Sequence, residues 1–230
     1  MTDLPSPFRY RVAVVGCPSH PDVEWSEANL SSLRDLGFNT VQLNVAWGGR
    51  PGDEPLNLED LVSLPTERLA ELKQPDLPPR SVPERRDERR EQLTHRIALC
   101  RQLGLRTIFH FGAPFNAQYG IDTDFDGPQP RSLLDPETTR YYREMIRAFD
   151  TDFPGVDDLL VYTYDQDAWV TSEFGTCVKT RGHTLADQVV PFVQALAEEW
   201  RESHAEGILW WSPWELSAGQ VYQCVAMFVG

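Results

Sequence analysis

The residues of this chain best suited to chemistry fall at 165–169, where Asp165, Gln166, Asp167 and Trp169 follow the apolar run LLVYTY. Two carboxylates this close divide the work of glycosidic cleavage well: one protonates the leaving oxygen while the other stabilises or attacks the sugar carbon. Like charges at that spacing repel, which lifts one pKa toward the range a general acid needs. A third carboxylate, Glu215, ends the run ILWWSPWE. Indole rings offer a large apolar face plus an N–H donor, so Trp47, Trp169, Trp211 and Trp214 suit stacking against a sugar ring. Asn44, His110 and Asn116 add hydrogen-bonding partners for hydroxyls. Plainer roles compete: His110 in FHFG reads equally well as a satisfied core histidine, and one of the two Asp residues as a cap on the backbone that follows.

These residues need a scaffold that gathers them, and the apolar patterning supplies one. Strands are expected at RVAVVGCP (11–18), TVQLNVAW (40–47), RTIFHFGAP (106–114), the LLVYTY region from about 158, and ILWWSPWELSAG (208–219). Between them, helical spacing runs through 23–38, through a stretch opened by the Ser81-Val82-Pro83-Glu84 capping box and carrying Leu93, Ile97, Cys100 and Leu103, from Asp135-Pro136-Glu137 to about 149, and from Thr184 to about 201. Residues 48–80 are rich in Pro, Gly, Asp and Leu without clear periodicity, the composition of a long loop that could cover a site. In TVQLNVAW, Gln42 and Asn44 share a face opposite Val41, Leu43 and Val45, and polar residues on an inner face suggest a barrel lumen. By the same alternation Leu159, Val161, Thr163 and Asp165 are expected to line that lumen, with Tyr162 and Tyr164 packed outward under helices. Candidate functional residues then collect at the carboxyl ends of the strands: Cys17 and His20, Asn44 and Trp47, His110 and Asn116, the acids with Trp169, and Trp214 with Glu215.

Repeated strand-helix alternation implies an α/β fold with a parallel sheet, and a partial (β/α)8 TIM barrel is favoured over a doubly wound sheet. The first strand-helix turn, GCPSHPDVEW, lacks the glycine-rich phosphate fingerprint, and no GxxxxGK[ST] occurs. About five units are legible where a barrel has eight. Residues 1–230 are therefore expected to form a single domain, the N-terminal part of a glycosidase-type barrel truncated after strand five, with exposed sheet edges that invite self-association.

Composition bounds the partners. The 230 residues carry 21 Lys and Arg against 35 Asp and Glu, a net charge of −14, which argues against a nucleic-acid footprint. The arginine run ERRDERRE (84–91) alternates with acids and reads as a solvated, salt-bridged helix face. Four dispersed cysteines form no CxxC pair, and neither a signal core nor a long apolar span occurs, so reduced thiols, a cytoplasmic location and no membrane contact are expected. No His/Cys set falls at metal-ligand spacing on one element, and no metal or other cofactor is expected. Lysine occurs only at 73 and 179, neither at a strand end, which weakens Schiff-base chemistry.

The succession RVAVVGCP, TVQLNVAW, LCRQLGLRTIFHFGAP, LLVYTYDQDAW and ILWWSPWEL resembles the catalytic barrels of bacterial glycoside hydrolases, nearest to hexosaminidase-like and α-glucuronidase-like members, over roughly residues 8–222. The resemblance implies a carbohydrate substrate and an acid at the end of the fourth strand. Hexosaminidases of that kind carry adjacent Asp-Glu there, whereas this chain has Asp165-Gln166-Asp167, which leaves Asp167 or Glu215 as the acid. Two other readings stand beside a glycosidase: a catalytically inactive carbohydrate-binding relative, and a different barrel enzyme such as a lyase or isomerase.

Overall fold

The structure, a computed structural model of the chain, describes residues 8–15, 24–45, 57–72, 83–114, 132–163, 179–213 and 216–229. In chain order the elements are β1 (Val12–Val14), α1 (Glu27–Asp35), β2 (Thr40–Gln42), α2 (Leu58–Leu61), α3 (Thr66–Glu71), α4 (Pro83–Gln102), β3 (Arg106–Gly112), α5 (Pro136–Asp152), β4 (Asp158–Tyr162), α6 (Leu185–Ser203), β5 (Leu209–Ser212) and α7 (Ala218–Val229). The five strands form one sheet in the order β1-β2-β3-β4-β5, and every neighbouring pair is parallel. A doubly wound sheet reverses its strand order at a switch point, whereas a (β/α) barrel adds each strand beside the last. This α/β chain follows the second pattern, that of a partial TIM barrel.

Alternation along the strands divides the sheet into two faces. Val41, Leu43, Phe109, Phe111, Leu159 and Val161 join the buried core with residues of the helices, and Phe109 meets Phe149 of α5 at 4.6 Å between ring centroids. The opposite parity carries Gln42, Ile108, His110, Leu160, Tyr162 and Trp210, linked across β3, β4 and β5 by the pairings His110 with Leu160 and Leu160 with Trp210. At β1 this inner face presents Val14, 55% exposed. The inner parity expected for β2 holds. That expected for β4 is reversed: Leu159 and Val161 pack under the helices, and Tyr162 points into the lumen. The reason is register. Phe109 and Phe111 are the neighbours of Leu159 and Val161, and four large apolar side chains gain more from the helical layer than from the lumen.

Local signals explain most helix ends. Thr184 caps α6 by accepting the Asp187 N–H at 3.2 Å while Asp187 accepts the Thr184 N–H at 2.9 Å. Gly37 and Gly104, at φ +94° and +67°, end α1 and α4 in the left-handed conformation that glycine adopts without penalty. Asp135 departs from the expected pattern: its side chain makes no cap bond and instead accepts from Lys179 Nζ at 3.0 and 2.8 Å, so Pro136 carries the start of α5. The Ser81-to-Glu84 capping box reaches outside the described residues at 81 and 82. The stretch expected to be loop holds two short helices, α2 and α3.

Charge also knits the layers together. The arginine run is not uniformly solvated: Arg89 is 6% exposed and donates to Asp60 of α2 at 2.9 Å, and Arg90 reaches Asp152 of α5 at 2.8 Å. Between α5 and α6, Glu199 is buried and accepts from Arg143 Nε at 2.7 Å and from Arg147 through both of its oxygens. Among the described residues no helix is long and apolar enough to cross a membrane.

Candidate functional site

The carboxyl ends of β2, β3 and β4 bring Gln42, Asn44, His110, Gly112 and Tyr162 together on the inner face of the sheet. The backbone pairing of β2 with β3 ends at the Leu43 N–H, which donates to the Ile108 carbonyl oxygen at 2.8 Å, and Asn44 takes over. Its Nδ2 donates to the His110 carbonyl oxygen at 2.7 Å, and its Oδ1 accepts the His110 N–H at 2.8 Å. The side-chain amide thus acts as an extra rung between β2 and β3, which is why a polar residue is tolerated at a fully buried position. Gln42 Nε2 donates to the Asn44 carbonyl oxygen at 2.7 Å and stands 3.4 Å from His110 Nδ1. From the helical side, Arg96 of α4 donates to the Leu43 carbonyl oxygen at 2.8 Å, and its guanidinium lies 4.6 Å from the centre of the Trp25 ring.

Tyr162 forms the β4 wall. Its ring lies 4.9 Å from that of His110 and directly over Gly112, where an added Cβ would sit 2.6 Å from Cζ. Glycine at 112 is what allows so close an approach. The N–H of Gly112 donates to Asn57 Oδ1 at 2.7 Å, Asn57 N–H donates to Asp60 at 3.2 Å, and Asp60 accepts from Arg89. The segment between β2 and α4 is thereby tied to the end of β3.

At the opposite end of the lumen, Arg106 donates to both oxygens of the fully buried Asp158, at 2.7 and 2.6 Å. Asp158 also accepts the Ile208 N–H at 2.8 Å and the Trp210 indole at 3.4 Å. Donating to Asp158 raises the Arg106 pKa above its usual value, against the opposing effect of burial. This pair fills the amino-terminal end of the inner face.

Of the sequence-predicted site residues, Asn44 and His110 are brought into contact. Trp47, Asn116, Asp165, Asp167, Trp169, Trp214 and Glu215 lie outside the described residues, as do Cys17 and His20. Trp211, expected as a stacking platform, faces the helices instead: it packs on Phe228 of α7 at 5.5 Å and donates to Thr163 at 3.2 Å. Its parity, shared with Leu209 against α6, explains the correction. Sequence reasoning did not assign Gln42, Tyr162 or Asn57 to the site. Gln42 carried a signal, being polar on an inner-face position, and Asn57 stands three residues before Asp60 in an N-cap pattern. Tyr162 carried none. Burial pushes the Cys100 thiol up to about 12, far from a nucleophile's range. Among the described residues no cluster of His, Cys, Asp or Glu could hold a metal ion.

No protein-family model matches the chain, and no curated protein does. Solved structures give partial likenesses. One is a GH20 catalytic module of the pneumococcal exo-β-D-N-acetylglucosaminidase, 10% identical over 87% of this chain and 53% of that one, TM-score 0.49. Another is a GH5 enzyme of Streptomyces cattleya in complex with GlcNAc, 17% identical over 88% and 44%, TM-score 0.42. A third is a GH138 enzyme targeting pectin rhamnogalacturonan II, 16% identical over 88% and 26%, TM-score 0.42. The chain thus spans about half or less of each. Strand order and direction, not these likenesses, carry the fold.

Proposed function

We propose that the chain is a glycoside-hydrolase-type domain that binds a carbohydrate at the carboxyl-terminal mouth of its sheet and cleaves a glycosidic bond there. The supporting observation is the hydrogen-bonded cluster of Gln42, Asn44 and His110 beside Tyr162, at the end of the sheet where barrels of this topology place their sites. Hydroxyl-rich ligands suit amide, imidazole and phenol partners. In this reading Asp165, Asp167 and Glu215, which follow β4 and β5 in sequence, supply the carboxyl groups. One protonates the glycosidic oxygen as the bond to the anomeric carbon breaks, and a second either attacks that carbon or takes a proton from the incoming water. Asn116, Trp47, Trp169 and Trp214 contribute contacts to the sugar. The hexosaminidase-like and α-glucuronidase-like members of this class suggest aryl N-acetylhexosaminides and aryl glucuronides as first substrates.

The test is turnover of a panel of aryl glycosides by the wild-type chain and by Asp165→Asn, Asp167→Asn and Glu215→Gln. Loss of a positioned proton-transfer group should cost on the order of 10²-fold or more in at least two of the three, with thermal unfolding unchanged. Turnover equal to wild type in all three would refute the assignment. Saccharide binding without turnover by the wild type would instead identify an inactive binding relative.

A further inference from the structure

We propose that Asn57 is a positioning residue of the mouth: it stands in for a strand along the β2-facing edge of β3 and fixes the height of Gly112 beneath the Tyr162 ring. β3 outruns its neighbour, since its last pair with β2 is Ile108 with Gln42, whereas it continues alongside β4 to Gly112. Alternate residues of a strand offer their backbone groups to the same side. On the β2 side that succession is complete: Leu43 N–H donates to the Ile108 carbonyl oxygen at 2.8 Å, His110 N–H donates to Asn44 Oδ1 at 2.8 Å, and Gly112 N–H donates to Asn57 Oδ1 at 2.7 Å. Two asparagine side chains from separate segments thus continue the ladder that β2 abandons. Gly112 is buried and Asn57 is 2% exposed, so water is poorly placed to replace the amide oxygen, and a buried N–H left without an acceptor is costly.

Asn57 can set a position because its own is set. Its N–H donates to Asp60 at 3.2 Å, Asp60 accepts from the buried Arg89 of α4 at 2.9 Å, and Arg90 donates to the Leu61 carbonyl oxygen at 2.7 Å. From α5, Tyr142 donates to Glu59 at 2.9 Å. Both helices therefore brace α2. On its other side Gly112 has no slack: a Cβ there would sit 2.6 Å from Tyr162 Cζ, and the same ring lies 4.9 Å from that of His110. A shift of Gly112 is passed to Tyr162 and on to His110, two residues of the proposed carbohydrate site. This inference deepens the carbohydrate reading and rests on it for the nature of the ligand, whereas the hold of Asn57 on Gly112 and Tyr162 is a property of the free protein.

The experiment compares wild type with Asn57→Ser and Asn57→Asp in the full chain, by amide hydrogen exchange and by the NMR signals of the Tyr162 ring. Serine keeps an N-cap oxygen for α2 but is one bond too short to reach Gly112, whereas aspartate keeps an acceptor at the reach of the amide oxygen. In Asn57→Ser the Gly112 amide should exchange on the order of tenfold faster relative to those of Phe109 and Leu159, and the Tyr162 signals should move. In Asn57→Asp both should return toward wild type. Scaling to Phe109 and Leu159 removes general destabilisation, which speeds all three amides alike. An unchanged exchange ratio in Asn57→Ser, or unmoved Tyr162 signals, overturns the proposal, and the serine variant decides alone if an aspartate beside Asp60 prevents folding. In parallel, wild type and Asn57→Ser are titrated with methyl β-N-acetylglucosaminide and methyl β-glucuronide. Binding weakened by the serine supports the positioning role, and equal binding overturns it. Binding of neither glycoside by the wild type would count against the carbohydrate reading alone, with exchange and ring signals still deciding the role of Asn57.

Discussion

Gly112 and Tyr162 give the most quantitative test of the mouth. In Gly112→Ala the new Cβ would lie 2.6 Å from Tyr162 Cζ, 2.7 Å from its hydroxyl oxygen and 3.0 Å from Cε1, whereas comfortable carbon contacts fall near 3.5–4.0 Å. The ring must retreat by roughly 1 Å. Tyr162 is 5% exposed with His110 beside it, so the retreat is not into open water. Overpacking of this kind costs about 1–3 kcal/mol. Against that, replacing glycine in a strand recovers about 0.4–1 kcal/mol of chain entropy where the backbone permits it, and Gly112 is not among the positive-φ glycines. The net expectation is about 1–2 kcal/mol of destabilisation, a Tm lower by roughly 2–8 °C for a chain of this size. Thermal unfolding measures it. A double-mutant cycle with Tyr162→Ala isolates the clash, because removing the ring should erase most of the glycine-to-alanine penalty. A neutral Gly112→Ala, or strict additivity in the cycle, would refute the placement of Tyr162 on the inner face.

Two further outcomes follow from the outer layer. Burial, the largest single influence, pushes the Glu199 carboxyl up, but the bonds from Arg147 and Arg143 together hold it below the usual carboxylate range. A depressed folded pKa contributes stability that is present above the unfolded value, about 4.3, and is lost as pH falls through the folded one. Glu199→Gln should therefore lose about 1.5–3 kcal/mol at pH 7 and show a flatter acid limb in urea titrations between pH 7 and pH 3; parallel wild-type and variant curves would contradict this. On α7, Cys224 is buried and Phe228 packs against the core, yet Tyr222, Val225 and Val229 are exposed on another side, a helix apolar on two faces. Concentration-dependent association by light scattering should be reduced in Tyr222→Glu/Val229→Glu, and association unchanged in that variant would move the contact elsewhere.

The fold was legible where apolar patterning is strong. All five expected strands and the principal helices exist, because LGL- and LGF-type endings, Thr184 with Asp187, and Pro136 are local signals that act before tertiary structure forms. What was not legible depends on contacts distant in sequence. The run DLLVY alternates two apolar sets of similar size, so its own letters do not say which set faces the helices; that is decided by its pairing with Phe109 and Phe111. Trp210 and Trp211 pose the same ambiguity, resolved by Phe228 and Thr163 on one side and by Asp158 and Tyr10 on the other. The burial of Arg89 was hidden for a similar reason, since its partner Asp60 lies in a stretch without periodicity.

The reversal at β4 changes how the acids must be argued. Simple alternation that puts Thr163 toward the lumen also gives Asp165 that direction. Thr163 instead accepts from Trp211 on the helical side, and the strand itself ends at Tyr162, so strand alternation no longer assigns Asp165 a direction. The case for its chemistry rests on what the described part of the mouth requires. In the proposed function Gln42, Asn44, His110 and Tyr162 bind and orient a hydroxylated ligand, but a bond to an anomeric carbon is not broken by amides, an imidazole and a phenol alone: a leaving oxygen needs a proton and the developing positive charge needs a carboxylate. The proposed function assigns those groups to the connections that follow β4 and β5, where Asp165, Asp167 and Glu215 are the acids nearest in sequence to the strand ends. Turnover of the three amide variants therefore separates a mouth that only binds from one that cleaves.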